Sequence, residues 1–135
     1  MKYGSVGFLV LLTLLLSLPV SAMVYSGNMN FLGNGVLKAD GVNIAHVEGD
    51  GKVGVLGEGA VVVSGVYSVL LRGNGTTTDL GGGRMQYSGF GRVVVNGTGL
   101  VVDVDSASGA SIATTGNGSV AITGVGAYFG HYLIV

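Results

Sequence analysis

Three aspartates are the residues whose type and spacing point most directly to a chemical site. Asp79 and Asp103 are 24 residues apart in the sequence, and Asp105 lies just beyond. Carboxylates held close together repel each other unless a cation or a shared proton lies between them. Oxygen ligands suit calcium, so one interpretation is a calcium site formed by all three residues. The alternative is an open strand end, where these carboxylates reach water and bind nothing.

The rest of the sequence contains no recognisable catalytic set. It has no cysteine, and its two histidines, His46 and His131, are far apart along the chain. No serine, histidine and aspartate occur together in a recognisable catalytic context, so we expect no enzymatic activity and no cofactor besides that calcium. The six Lys and Arg residues do not cluster, which argues against nucleic acid as a partner.

A glycine repeat sets the elements that must position these residues. Glycine occurs at every eighth residue from Gly33 to Gly97. Because glycine adopts every backbone conformation at low cost, a strict glycine period indicates a corner at fixed spacing. The fifth and seventh residues of each octad are mostly apolar, as in GEGAVVVS (57–64), and charged residues mostly take the even positions. This alternation predicts strands with one buried face, on which Asp79 and Asp103 are the only charged residues.

A longer period predicts how the octads are arranged. The eighth residue of an octad is apolar at Leu32, Leu56, Leu80 and Val104, at spacings of 24. Such a period favours an all-β fold, a three-sided parallel β-solenoid of about four coils with three octads in each coil. An antiparallel meander of short hairpins would explain the octad, but it gives no reason for the longer period.

The octad series is interrupted near the C-terminus. It breaks after Val104 and resumes at Gly116. Residues 105–115 are small and polar with no strand alternation, so the sequence predicts an inserted surface loop there.

The N-terminus has the features of a secretory signal. Lys2 precedes an apolar run over 8–18, and Val20-Ser21-Ala22 fits a signal-peptidase site. We therefore expect a signal peptide over 1–22 and one solenoid domain over 23–135, secreted or at the cell surface, with no membrane span after cleavage. An uncleaved membrane anchor is the alternative.

One outer face of the predicted solenoid is unusually apolar. In that arrangement its residues stack into a stripe, which suits association between copies or with a cell-envelope partner. The residues of this predicted interaction face are Val42, Ile44, Val66, Leu70, Phe90, Val94, Val125 and Phe129. The alternative is that the inserted loop or a terminal segment covers the stripe.

The chain ends in four apolar residues, Tyr132, Leu133, Ile134 and Val135, with no charged cap. Soluble solenoids usually cap their ends, because an end exposes unpaired backbone groups. The uncapped strand predicts an assembly end that accepts another subunit and builds a homo-oligomer or polymer. The alternative is that the segment completes the last coil and is covered.

In repeat style, the GxG octads with inward valines resemble the glycine-rich β-solenoids of microbial surface proteins. The apolar face, the uncapped strand and the lack of catalytic groups predict a secreted structural protein that self-associates into a fibre or surface layer. The alternative is an adhesin or glycan-binding module that reads its ligand with 105–115. Asn74, Asn96 and Asn117 fit N-glycosylation acceptors, although Asn-Gly also suits a corner.

Overall fold

The alternating pattern folds into strands. The structure is a computed structural model that describes residues 23–133, so the predicted signal peptide 1–22, Ile134 and Val135 lie outside the described residues. The strands are β1 (Met23–Leu56), β2 (Ala60–Arg72), β3 (Thr76–Gly81), β4 (Arg84–Ser88) and β5 (Arg92–Leu133). The all-β class is confirmed. Within these residues, no helix is long and apolar enough to cross a membrane.

All strand pairs are antiparallel, in one sheet of order β1-β5-β2-β4-β3. The chain is one long hairpin with its tip at Gly82 and Gly83, so residues 23–81 form a first arm and residues 84–133 a second. The predicted parallel arrangement is wrong, because each octad lies beside an octad of the other arm that runs in the opposite direction. The antiparallel alternative has the correct strand direction, but its short hairpins are replaced by this single long one.

The two arms wind around a common axis. Ile112 pairs with both Ala39 and Val55, and Val120 pairs with both Phe31 and Val47. In each case the two partners are sixteen residues apart on the first arm. One turn of the first arm therefore contains two octads, and the tube has two sides rather than three.

Residues 24 apart are consequently one and a half turns apart and lie on opposite sides. Leu32 pairs with Ser119 on one side, whereas Leu56 pairs with Arg92 and Ser111 on the other. Residues 24 apart therefore do not stack on one another, as they would in a three-sided solenoid. The reason is that 24 is a multiple of the octad but not of the sixteen-residue turn.

We name the two sides A and B. In spatial order, side A consists of segments 23–26, 125–133, 34–40, 110–117, 51–57, 91–97 and 66–72. Side B consists of segments 27–33, 118–123, 43–49, 100–105, 60–64, 84–88 and 76–81. The inner residues of both sides form one hydrophobic core. For example, the ring of Phe31 on side B lies 5.6 Å from the ring of Tyr128 on side A.

The octad glycines form the corners between the sides. Gly49 and Gly118 pair across the two arms with φ values of 142° and 152°. A Cβ atom on Gly49 would clash with the carbonyl oxygen of Asn117, and one on Gly118 with that of Glu48. Corners of adjacent turns can approach this closely only because both residues lack a side chain.

A change of phase at Gly99 decides where the last octads point. Before it, odd-numbered residues such as Val95 are buried, and after it the buried residues are even-numbered, such as Leu100 and Val102. The second arm contains one extra residue here, where Gly99 has a φ of 59°. An odd insertion reverses which side chains of a strand face inward.

Residues 105–115 lie within β5 and do not form the expected surface loop. The second arm contains two extra residues between Asp105 and Ser111, which pair with Ala60 and Leu56 of the first arm, and strand pairing resumes immediately. Ser106, Ala110, Ile112 and Thr114 are buried. The segment therefore contributes to the core. Its small side chains suit a corner followed by a closely packed strand.

Candidate functional site

The last turn of the first arm, residues 66–81, is an open sheet edge, and we call it the tip turn. Its side A half, residues 66–72, pairs with β5, and its side B half, β3, pairs with β4. In the described part of the chain, neither half has a strand along its other edge. Along this turn, the backbone N–H and C=O groups that point away from β5 and β4 are thus free to pair with another strand.

The hydrophobic core is also open at the tip turn. Val69 and Leu71 are only partly buried, whereas their inner-face neighbours one strand deeper, Val95 and Val93, are 1% and 2% exposed. Apolar side chains are exposed on the outer surface of the same turn. These are Val66, Leu70 and Leu80. The tip turn therefore combines unpaired backbone with uncovered apolar surface.

The tip turn has few of the features that protect natural sheet edges. Lysine, proline and inward charges are the usual protections, and residues 66–81 contain neither lysine nor proline. Asp79 is its one inward carboxylate, and that side chain is bound locally, since Oδ1 accepts a hydrogen bond of 2.8 Å from the Gly81 N–H. This edge therefore has little to prevent it from pairing with a strand of another molecule.

A tyrosine pair links this edge to the opposite side of the tube. The hydroxyl groups of Tyr67 on side A and Tyr87 on side B are 3.0 Å apart. Burial and the hydrogen bond to Tyr87 raise the pKa of Tyr67 to about 12. The pair fixes the spacing of the sides where the core would otherwise end.

The structure does not bring together the three aspartates of the predicted calcium site. Asp79 lies at the open mouth of the tube and pairs with Met85, whereas Asp103 and Asp105 are exposed on the outer surface of side B. Asp103 was expected to face inward, but the phase change at Gly99 turns it outward. Within residues 23–133, no group of three His, Cys, Asp or Glu side chains is placed to hold a metal ion.

The predicted interaction face is dispersed over the tube. Ile44 is exposed on side B, whereas Leu70 and Phe129 are exposed on side A. Two further residues of the face, Val66 and Val125, are exposed where side A begins at a corner. The other three are not exposed, since Val42 and Val94 are buried and Phe90 packs against the core. The stripe fails because it assumed 24 residues per turn.

At the predicted assembly end, Tyr132 and Leu133 pair with Gly35 and Asn34 of β1. One edge of this segment is therefore paired with β1 of the same molecule. The side chains of Asn74, Asn96 and Asn117 are exposed, and Asn74 and Asn117 lie at corners.

A charged cluster on side B was missed in the sequence. The His46 Nδ1 atom lies 2.5 Å from Asp103 Oδ1, and its Nε2 atom lies 2.6 Å from Glu48 Oε2. These hydrogen bonds raise the pKa of His46, with the bond to Asp103 as the largest cause. The spacing of His46 and Glu48 on one strand face was visible, but Asp103 joins them only because of the phase change.

This cluster has the geometry of an electrostatic clamp between the arms. A protonated imidazole that donates through both ring nitrogens has no lone pair left to accept a proton or bind a metal. His46 is on the first arm and Asp103 on the second, so the ion pair links adjacent strands of side B.

No protein-family model matches the chain, and no curated protein is found to be similar to it.

Proposed function

We propose that the chain is a secreted structural subunit that associates with further copies of itself through the tip turn, as part of a surface fibre or layer. The observation that carries the proposal is the open edge over residues 66–81, where unpaired backbone lies beside uncovered core residues. A second copy supplies both things that this edge lacks, a strand for its backbone groups and apolar side chains for Val69 and Leu71.

The direction of the chain at the tip turn favours a two-fold symmetric contact. The outermost strands on both sides, 66–72 and 76–81, belong to the first arm and run in one direction around the axis. When two tubes meet tip to tip, strand 66–72 of one molecule lies antiparallel to strand 66–72 of the other. The same holds for strand 76–81. This extends the antiparallel pairing that the whole molecule uses, and it gives an isologous interface.

The opposite end of the tube favours the same kind of contact. There, the outermost described strand of side B is 27–33, which also belongs to the first arm and pairs only with the second. A head-to-tail junction would place 76–81 parallel to 27–33 of the next copy. Contacts between like ends keep every pair antiparallel, so a fibre would alternate between two kinds of two-fold junction.

Proline substitutions at the edge test the proposal by sedimentation velocity of the chain without residues 1–22. Thr77→Pro and Thr78→Pro each remove one N–H from β3, and successive residues direct these groups to opposite edges. One variant damages the ladder to β4, and the other keeps the monomer's melting temperature and blocks only the free edge.

The edge-blocking variant is expected to lower the association constant at least tenfold, whereas Thr115→Ser on side A serves as a neutral control. A wild-type chain that sediments as a monomer at high protein concentration would overturn the proposal, as would assemblies that both proline variants leave intact.

A further inference from the structure

The two sides of the tube carry opposite charge. Most basic residues of the described chain lie on the outer surface of side A, where Asp40 is the one acidic residue within the strands; these basic residues are Lys38, Lys52, Arg72 and Arg92. Asp50 and Glu58 are exposed at corners between the two sides. The outer surface of side B carries Glu48 and Asp103, which His46 binds, and Asp105, which has no ion-pair partner; Arg84 lies beside the tip. This separation arises because each octad contributes to only one side.

Side A also contains a trough that crosses the middle of its strands. The trough has a volume of about 430 Å³. Small residues, Gly54, Ser111 and Ala113, form its floor, and larger ones rise on either side. These larger residues are Lys38 and Phe129 on one wall and Leu56 and Arg92 on the other.

The charges of this trough are not neutralised within the molecule. Among the described residues, the ion pairs within 4.0 Å are the two that His46 makes, so Lys38 and Arg92 have no acidic partner. The Lys38 ammonium lies 6.0 Å from the centre of the Phe129 ring. One Asp40 carboxylate oxygen accepts a hydrogen bond of 2.8 Å from the Ala127 N–H. Each wall of the trough therefore combines a large apolar side chain with a cation, and Asp40 is the one acidic residue of its lining.

Side B presents the complementary surface. Ile44 is 55% exposed near the start of segment 43–49, and it pairs with Asp105 on one neighbouring strand and Thr123 on the other. Asp103 lies two residues along from Asp105 on the same face. The apolar Ile44 beside the Asp105 carboxylate, which has no ion-pair partner, matches a trough that offers the apolar Phe129 and Leu56 beside two unpaired cations.

We infer that side A of one copy packs against side B of another, with the surface around Ile44 and Asp105 in the trough between Lys38 and Arg92. The contact is heterologous, because two different surfaces meet, and repetition joins tubes side by side into a row or layer. This contact uses a different surface from the tip turn. An experiment can therefore disprove one of the two contacts without disproving the other.

The size of the side sets the expected strength. Seven strand segments at about 4.8 Å, each about six residues long, make a face of about 30 by 20 Å. That is a modest interface, so association is expected to be weak and to depend on charge. Salt at 0.5 M should abolish it, because screening acts strongly on exposed charges.

Charge reversal in the edge-blocking proline background tests this contact without the tip. Lys38→Glu with Arg92→Glu makes side A acidic, and Ile44→Lys with Asp105→Lys makes side B basic. Neither variant breaks a hydrogen bond of the His46 clamp. Each variant alone is expected to lose at least tenfold in association constant by sedimentation at low salt.

The decisive arm is a mixture of the two charge-reversed chains. Every side A to side B contact between the two chains is then complementary again, so the mixture should regain association, which also shows that both chains are folded. A mixture that stays monomeric would overturn the inference. It would also be overturned if the edge-blocked parent chain stays monomeric at low salt but binds polygalacturonate through Lys38 and Arg92, since an acidic saccharide would then be the partner of side A.

Discussion

The hydroxyl groups of Tyr67 and Tyr87, 3.0 Å apart, join the side A strand of the tip turn to the next strand inward on side B. Each residue comes from a different arm, so the pair closes the tube across the two arms of the hairpin. This contact keeps the free edge in shape, and its removal should loosen the tip.

The Tyr67 hydroxyl is expected to ionise at a higher pH than an ordinary tyrosine. Its folded pKa of about 12 lies above the ordinary value of 10, so the stability that it contributes is complete below pH 10 and is lost as pH rises towards 12. Absorbance titration at 295 nm should show one tyrosine titrating near 12, and Tyr67→Phe should remove that step. Loss of the hydrogen bond should cost about 1 kcal/mol, measured by urea unfolding. A Tyr67 that titrates at 10 would show that the pair does not form.

His46 should make stability depend on pH in the neutral range. Its folded pKa is raised above the unfolded value of 6.5, so its contribution is complete below that value and is lost as pH rises through the folded pKa. The melting temperature of the wild type should therefore fall as pH rises above 6.5. His46→Gln should flatten this part of the profile, and NMR titration of the imidazole should give a pKa above 6.5. Identical profiles for the two proteins would contradict the clamp.

A corner glycine should tolerate no side chain. Gly118→Ala places a Cβ atom against the Glu48 carbonyl at a positive φ, and both strain and overpacking should destabilise the fold by about 2–4 kcal/mol together. Gly54→Ala is the matched control, because Gly54 lies in a strand and the nearest atom to an added Cβ is 3.8 Å away. Chemical denaturation of both variants measures the difference. Equal stabilities would mean that adjacent corners are not in contact.

The segment that the sequence presents as a loop should behave as core. Ile112 is 2% exposed, so Ile112→Ala should cost about 2–5 kcal/mol of unfolding free energy. Ser111→Ala changes its exposed neighbour and should cost less than about 0.5 kcal/mol. A surface loop would make the two substitutions equally harmless.

Much of the local structure could be predicted from the octad, since glycine corners and inward residues such as Val53 and Val61 follow from the period of two within it. The phase after Gly99 was also present, because Leu100, Val102 and Val104 alternate with Asp103 and Asp105. If the octad phase that holds before Gly99 is continued past it, Asp103 faces inward. The calcium hypothesis came from that assumption.

The direction and number of sides could not be predicted from the repeat. An octad with a corner fits a tube of two or three sides equally well, and a parallel and an antiparallel strand present the same alternation. The pairing of Ile112 with both Ala39 and Val55 depends on the hairpin at Gly82 and Gly83, which no periodic feature marks. The open tip turn and the opposite charges of the two sides follow from that topology.

Disulfide cross-linking of single-cysteine variants tests the central claim, association through the tip turn, most directly. The chain has no cysteine, so Thr76→Cys, Thr78→Cys and Leu80→Cys each introduce a unique thiol on the outer face of β3, and Asn30→Cys marks the opposite end. A disulfide needs Cα atoms within about 7 Å, which only residues near the two-fold axis reach. The account predicts a disulfide-linked dimer from at least one tip variant alone and none between tip and Asn30 variants in a mixture. Cross-links that form only in the mixture, or none at the tip, would contradict it.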